Sequence, residues 1–137
     1  MTLSSEQDTY LREHRLAALA TGRRDGSPQQ TWIAYAYDGV DIVIQTGGAS
    51  VKARNIGRLS PVSMLVPDGG RNLVVYGSAE VLRGGPERRA AIRRARMGRD
   101  ETADDVALDA DLDDNGMVAL RIIPERALGR LEERRRG

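Results

Sequence analysis

Cysteine is absent from the 137 residues, and histidine occurs once, as His14. Without cysteine there are no disulfides and no thiolate metal sites. A single histidine argues against an imidazole-based metal centre. No apolar run approaches the length of a membrane span. The opening residues, Met1-Thr-Leu-Ser-Ser-Glu-Gln-Asp8, are polar and acidic and lack the hydrophobic region of a secretion signal. The expectation is a cytoplasmic protein without membrane contact. Net charge is only +1, too little for a dedicated nucleic-acid binder. No aromatic residue is interleaved with the arginines between Arg83 and Arg99, so base stacking has no platform there.

Lysine is almost as scarce as histidine: of 21 lysines and arginines, only Lys52 is a lysine. Where positive charge is otherwise supplied as arginine, a lone lysine points to a task that wants a compact point charge rather than a planar fork. It lies in Thr46-Gly-Gly-Ala-Ser50-Val-Lys52-Ala-Arg54-Asn55-Ile-Gly57, which reads as a glycine loop entering a helix. Ser50 is a natural N-cap, Val51, Ile56 and Leu59 supply an apolar stripe, and Ser60-Pro61 ends the helix. Free amides and the positive end of the dipole at a helix N-terminus suit a phosphate. The plainer alternative is an amphipathic helix with a solvated lysine.

The remaining composition, 40% apolar and 30% charged, is that of one globular domain spanning 1–137 with a core of its own. Its charges are segregated. Seven arginines and the single acid Glu87 lie between Arg83 and Arg99, and eight acids without a base lie between Asp100 and Asp114. Such blocks are usually solvated faces that attract each other or a neighbouring subunit.

Along the chain, Glu6 to Glu13 reads as a short helix and Arg15 to Thr21 as a buried strand. Asp25-Gly26 predicts a tight turn into a second strand, Gln29 to Tyr37. Asp38-Gly39 predicts another turn into Asp41 to Thr46, completing an antiparallel meander. After the Ser50 helix come strands at Pro61 to Val66 and Asn72 to Leu82, the latter with Gly77 marking a bulge or close approach. Gly84-Gly85-Pro86 opens a helix to about Met97. The acidic stretch reads as a short helix plus loop. Gly116 to Ile123 is a sixth strand stopped by Pro124, and the residues from Glu125 onward are helical or frayed. Six short antiparallel strands with a few covering helices give a mainly β fold, a small closed or split barrel.

Catalytic machinery is hard to find. His14 sits at an element boundary and reads as a cap or surface group. There is no nucleophile elbow of Gly-x-Ser-x-Gly form, and paired carboxylates occur only in the solvated acidic segment. Tyr35, Tyr37 and Tyr76 lie in strands as core or interface residues. Trp32 could stack on a flat ring, although barrel tryptophans more often pack. One good anion site on a barrel without catalytic groups points to a borrowed cofactor.

The order and spacing of Leu19-Ala-Thr21, Asp25-Gly-Ser-Pro-Gln29, Trp32, Asp38-Gly39, Thr46, Ser50, Lys52-Ala-Arg-Asn-Ile56, Pro61-Val-Ser63 and Tyr76-Gly-Ser-Ala-Glu80 resemble the pyridoxamine 5′-phosphate oxidase-like flavin-binding split barrels. Within that superfamily the chain looks most like the oxidoreductases that depend on the deazaflavin coenzyme F₄₂₀. The resemblance implies a six-stranded split barrel and a homodimer with the cofactor in the groove between subunits. It further implies that Lys52, Arg54 and Asn55 hold the cofactor phosphate, with Thr46 and Ser50 as hydroxyl partners. Gln30, Thr31 and Trp32 would flank the ring. Substrate contacts would come from the arginine-rich helix Arg88 to Arg99 or from the partner, and Arg134-Arg135-Arg136 could meet a polyglutamate tail. The implied reaction is hydride transfer from reduced F₄₂₀ to an unsaturated small organic acceptor. The alternatives are an oxidase or reductase dependent on flavin mononucleotide (FMN), and a non-catalytic flavin or deazaflavin carrier.

Overall fold

In a computed structural model, which describes residues 3–99 and 103–132, one antiparallel sheet curls round the main core. The elements are α1 (Ser5–Glu13), β1 (Leu16–Gly22), β2 (Pro28–Ala34), β3 (Ala36–Tyr37), β4 (Ile42–Gly47), α2 (Val51–Arg58), β5 (Pro61–Asp68), β6 (Arg71–Leu82), α3 (Gly85–Arg96), α4 (Asp105–Asp114) and β7 (Met117–Arg130). The strand order is β2-β1-β5-β6-β7-β4-β3. The fold is therefore mainly β, a curled half-barrel with four short helices.

Alternation of side chains along each strand builds the core. Ala17, Leu19, Val62, Met64, Val66, Leu73, Val75, Leu120 and Ile122 all turn inward and are buried. Helix α1, closed by a capping box between Ser4 and Gln7, adds Tyr10 and Leu11 to that core. The Tyr10 hydroxyl donates to the Val66 carbonyl at 2.9 Å. Full burial of a side chain such as Leu11 contributes roughly 1.5–3 kcal/mol. A second, smaller core lies on the outer face of β4 and β7, where Val43 and Ala119 pack beneath Ile92 of α3 and Leu108 and Leu112 of α4.

The structure departs from the sequence reading in four places. First, the strand expected over Gln29 to Tyr37 breaks at Tyr35, giving seven strands instead of six. The Tyr35 ring is buried, its hydroxyl donates to the Leu11 carbonyl at 2.8 Å, and its N–H goes to the Arg15 carbonyl at 2.8 Å. Second, and in consequence, there is no meander. β2 pairs only with β1, and β3 pairs with β4 at the opposite end of the sheet. Third, β7 does not stop at Pro124 but runs to Arg130. The register between β6 and β7 shifts between Tyr76 and Gly77, so that Tyr76 faces Arg126 and Gly77 faces Pro124. This bulge absorbs a proline that lacks a ladder donor. It falls at the expected Gly77, where a Cβ would lie 2.3 Å from the Ile123 carbonyl oxygen. Residues 125–130, expected to be helical or frayed, are strand; Arg134, Arg135 and Arg136 lie outside the described residues. Fourth, the inward face of α2 is Ala53, Asn55 and Ile56. Val51 and Leu59, at its first position and its C-cap, are exposed.

The segregated charges meet each other. Arg88 pairs with Asp113 at 2.8 Å, Arg89 with Asp109 at 2.6 Å and Arg93 with Asp105 at 3.0 Å, tying α3 to α4. His14 is the C-cap of α1. Its Nδ1 lies 2.6 Å from the Tyr10 carbonyl and its Nε2 lies 2.9 Å from Asp68 Oδ2.

Candidate functional site

The two ends of the curled sheet do not close. β2 has a strand partner on one side only, and β3 reaches only Ile42 and Val43 of β4. The edge of β2 and the Ile44–Gly47 part of β4 thus leave backbone donors and acceptors unclaimed by any described strand along a split in the barrel. A cleft of about 320 Å³ occupies this split, with Trp32 of β2, Ile44 and Gln45 of β4, Lys52 of α2, Arg96 at the end of α3, and Arg99 in the turn after it in its wall.

The N-terminus of α2 supplies the polar end. Ser50 caps the helix, its Oγ accepting the Ala53 N–H at 3.2 Å and the Thr46 hydroxyl at 3.3 Å. With both acceptor positions used, the Ser50 proton is left to donate outward. Thr46 is buried beneath it. Lys52 is the second residue of the helix and half-buried. Opposite it, α3 ends with Met97 at φ +53° and Gly98 at φ +83°. This left-handed turn folds the chain so that Arg99 Nε donates to the Arg96 carbonyl at 3.1 Å. Arg96 Nε in turn donates to Gln45 Oε1 at 3.0 Å. Three cations therefore share the cleft, and no carboxylate lines it among the described residues.

Trp32 joins the cleft to a second feature. Strand register places Trp32 beside Ala18, Ala18 beside Leu65, Leu65 beside Val74 and Val74 beside Leu128. All five project from the outer face of the sheet, where Trp32 is 59%, Leu65 40% and Leu128 58% exposed. An uncovered apolar row across a sheet is a typical association surface.

Of the residues singled out from sequence, the structure brings Trp32 and Lys52 into one cleft, with Ser50 and Thr46 at its helix end. Gln30 and Thr31 lie on the same edge strand but outside the wall of the cleft. Arg54 is on the other side of α2 from Lys52, and Asn55 points into the barrel. Asn55 is buried, donating Nδ2 to Thr21 Oγ1 at 3.0 Å and accepting from Arg58 at 3.0 Å. Arg54 lines a separate hollow with Arg24, Arg58 and Arg83. Residues two positions apart on a helix lie about 200° apart round its axis, so Lys52 and Arg54 leave α2 on opposite sides and line different hollows. Gln45, Arg96 and Arg99 were not legible as a set with Lys52. Their only signal was arginine placed at the end of a helix followed by Met-Gly.

The fold has well-matched relatives among solved structures. The conserved hypothetical protein Rv2991 of Mycobacterium tuberculosis is 26% identical, with a TM-score of 0.75 over 95% of this chain and 85% of that one. An F₄₂₀ reductase is 25% identical, with a TM-score of 0.65 over 87% of this chain and 94% of that one. A FAD-binding protein of Mesorhizobium loti, 22% identical with a TM-score of 0.68 over 95% and 96% of the two chains, shares the fold. No curated protein is similar enough to count as a relative. The family model for pyridoxamine 5′-phosphate oxidase matches residues 3–129, nearly the whole curled sheet with the split, Lys52 and Trp32 inside it, and the chain belongs to that family.

Proposed function

We propose that this chain is a homodimeric oxidoreductase that takes hydride from reduced coenzyme F₄₂₀ and delivers it to an unsaturated small organic acceptor. The observation that carries this reading is the cleft at the split, lined among the described residues by three cations and no acid, where Lys52 and Trp32 share the wall at the end of an uncovered apolar row. The donor set fits a phosphate-bearing ring cofactor. Lys52, the Ser50 hydroxyl and the first amides of α2 suit the phosphate, and the unpaired edges of β2 and β4 suit the rim of a flat ring. When bound, the reduced deazaflavin supplies the hydride.

The protein's own residues then orient and enclose. Lys52 and Ser50 fix one end, Trp32 borders the ring, and a second copy of the chain seated on the Trp32–Leu128 row covers the cleft and excludes water. No carboxyl, imidazole or phenol lines the cleft among the described residues, so protonation of the acceptor falls to solvent or to the substrate itself. Similarity to an F₄₂₀ reductase supports the deazaflavin over FMN. The same Lys52–Ser50 end would hold the FMN phosphate, and the absence of an acid in the cleft equally suits a cofactor carrier. The assembly proposed here needs no nucleic acid or membrane. Among the described residues no helix is long and apolar enough to cross a bilayer, and a cytoplasmic location fits a diffusible cofactor.

The test is a titration of the purified protein with F₄₂₀ and with FMN, followed by absorbance and fluorescence. Micromolar F₄₂₀ binding without FMN binding supports the proposal, and turnover across candidate acceptors separates enzyme from carrier. Yellow protein with flavin fluorescence as isolated favours FMN. Binding of neither cofactor refutes the reading.

A further inference from the structure

We infer that the face of α2 opposite Lys52 is a second anion-binding site, built for a small molecule carrying two or more carboxylate or phosphate groups. Arg24 of the β1–β2 turn, Arg54 and Arg58 of α2, and Arg83 after β6 line a hollow of about 740 Å³, and no carboxylate lines it among the described residues. Arg12, Arg88, Arg89, Arg93, Arg94 and Arg121 each hold an acid. Arg24, Arg54 and Arg83 have no ion pair among the described residues. Asp25, adjacent to Arg24 in sequence, is turned into its own hairpin by the Ser27 N–H at 2.9 Å and the Ser27 hydroxyl at 2.6 Å. Converging like charges repel one another, and an oxyanion offsets that repulsion through the paired N–H donors of each guanidinium.

The hollow is also pre-organised. Arg58 Nη2 donates to the Gly22 carbonyl at 2.9 Å and to Asn55 Oδ1 at 3.0 Å. Asn55, 5% exposed, is anchored in turn on Thr21, 3% exposed. This buried relay holds the Arg58 fork in one geometry, which lowers the entropy lost on binding. The Arg83 guanidinium lies over two glycines. A Cβ on Gly48 would come within 3.5 Å of its Nη1, and one on Gly57 within 3.9 Å of its Nη2. Four guanidiniums round a space this large exceed what one inorganic ion engages, hence a ligand with several oxyanion groups. The site is separated from Lys52 by the body of the helix and stands whether or not the Lys52 cleft holds a cofactor.

Calorimetric titration of the full-length protein at low ionic strength, with pyrophosphate and with citrate, tests the inference. At least one probe is expected to bind with Kd below about 1 mM. Arg54→Ala and Arg83→Ala should each weaken it about tenfold or more, the range for losing a charged hydrogen bond, while Lys52→Ala leaves it within about twofold. Both arginines are exposed, so the variants should keep the wild-type Tm. Preference for pyrophosphate identifies a phosphate-bearing ligand, and preference for citrate a polycarboxylate. Failure of both probes to bind below about 10 mM overturns the site. So does wild-type affinity in the arginine variants, or loss of binding in Lys52→Ala.

Discussion

Replacing Lys52 by alanine is the sharpest probe of the proposed cofactor site. The ammonium emerges from the second position of α2, half-buried and, among the described residues, flanked in its cleft by Arg96 and Arg99 rather than by an acid. Two unit charges 4 Å apart at an effective dielectric of about 20 attract by roughly 4 kcal/mol. Desolvation of both partners and salt with a Debye length of about 8 Å reduce this. The net for a charged hydrogen bond is about 1.5–3 kcal/mol, which raises Kd for the cofactor roughly 12- to 160-fold. Fluorescence titration with F₄₂₀ reads this directly. Arg54→Ala is the control, because Arg54 lies about 200° round the helix and should change that Kd by less than about twofold. An unchanged Kd in Lys52→Ala, or an equal loss in Arg54→Ala, would show that the phosphate sits on the other face of α2 and sink the assignment.

Leu65→Asp, in the middle of the exposed apolar row, should convert a dimer into a folded monomer by sedimentation, because Leu65 is already 40% exposed in the protomer; a wild-type protein that is monomeric at all concentrations refutes the role of the row. Gly77→Ala places a Cβ 2.3 Å from the Ile123 carbonyl oxygen and should cost at least about 2 kcal/mol in denaturant unfolding, whereas a loss below about 0.5 kcal/mol would mean that the bulge relaxes freely. Burial and a hydrogen bond to Asp8 push the Tyr37 hydroxyl from 10.0 up to about 12. Because its folded value is raised, the stability it contributes is complete below pH 10 and lost as pH climbs towards 12; Tyr37→Phe should flatten the stability curve in that window, and an unaltered slope would contradict the assignment. Arg12 and Tyr37 hold the Asp8 carboxyl below its ordinary value, so its contribution is present above about pH 4 and fades as pH falls. Asp8→Asn should remove that part of the acid transition in an unfolding series, and an unchanged transition would exclude it.

Much of the fold was legible because it rests on local rules. Ser50 caps α2 by accepting the Ala53 N–H, and Gly77 falls at the bulge. The failures share a cause. Tyr35 sits inside a run of good strand formers, yet its ring is drawn into the core by the carbonyl of Leu11 on a separate helix, a contact that no local pattern encodes. Pro124 carries the local signature of a strand end, but a register shift against β6 absorbs it. On α2, spacing alone could not say which side faces the barrel, so Lys52, Arg54 and Asn55 read as one motif although the structure divides them.

The sequence by itself determined that the chain forms antiparallel strands with a glycine-fronted helix after the Thr46 strand, that it offers no thiolate and a single imidazole, and that Lys52 stands beside a helix N-terminus. These follow from residue types, turn chemistry and periodicity, which act over a few residues. Only the tertiary structure decided that β2 and β3 end up at opposite edges of one curled sheet, that the gap between those edges gathers Trp32, Lys52, Arg96 and Arg99, and that the arginines round Arg54 face away from it. Such juxtapositions depend on strand order and on how far the sheet curls. They are set by the packing of residues distant in sequence, where backbone hydrogen bonding and burial of the common core outweigh any local preference.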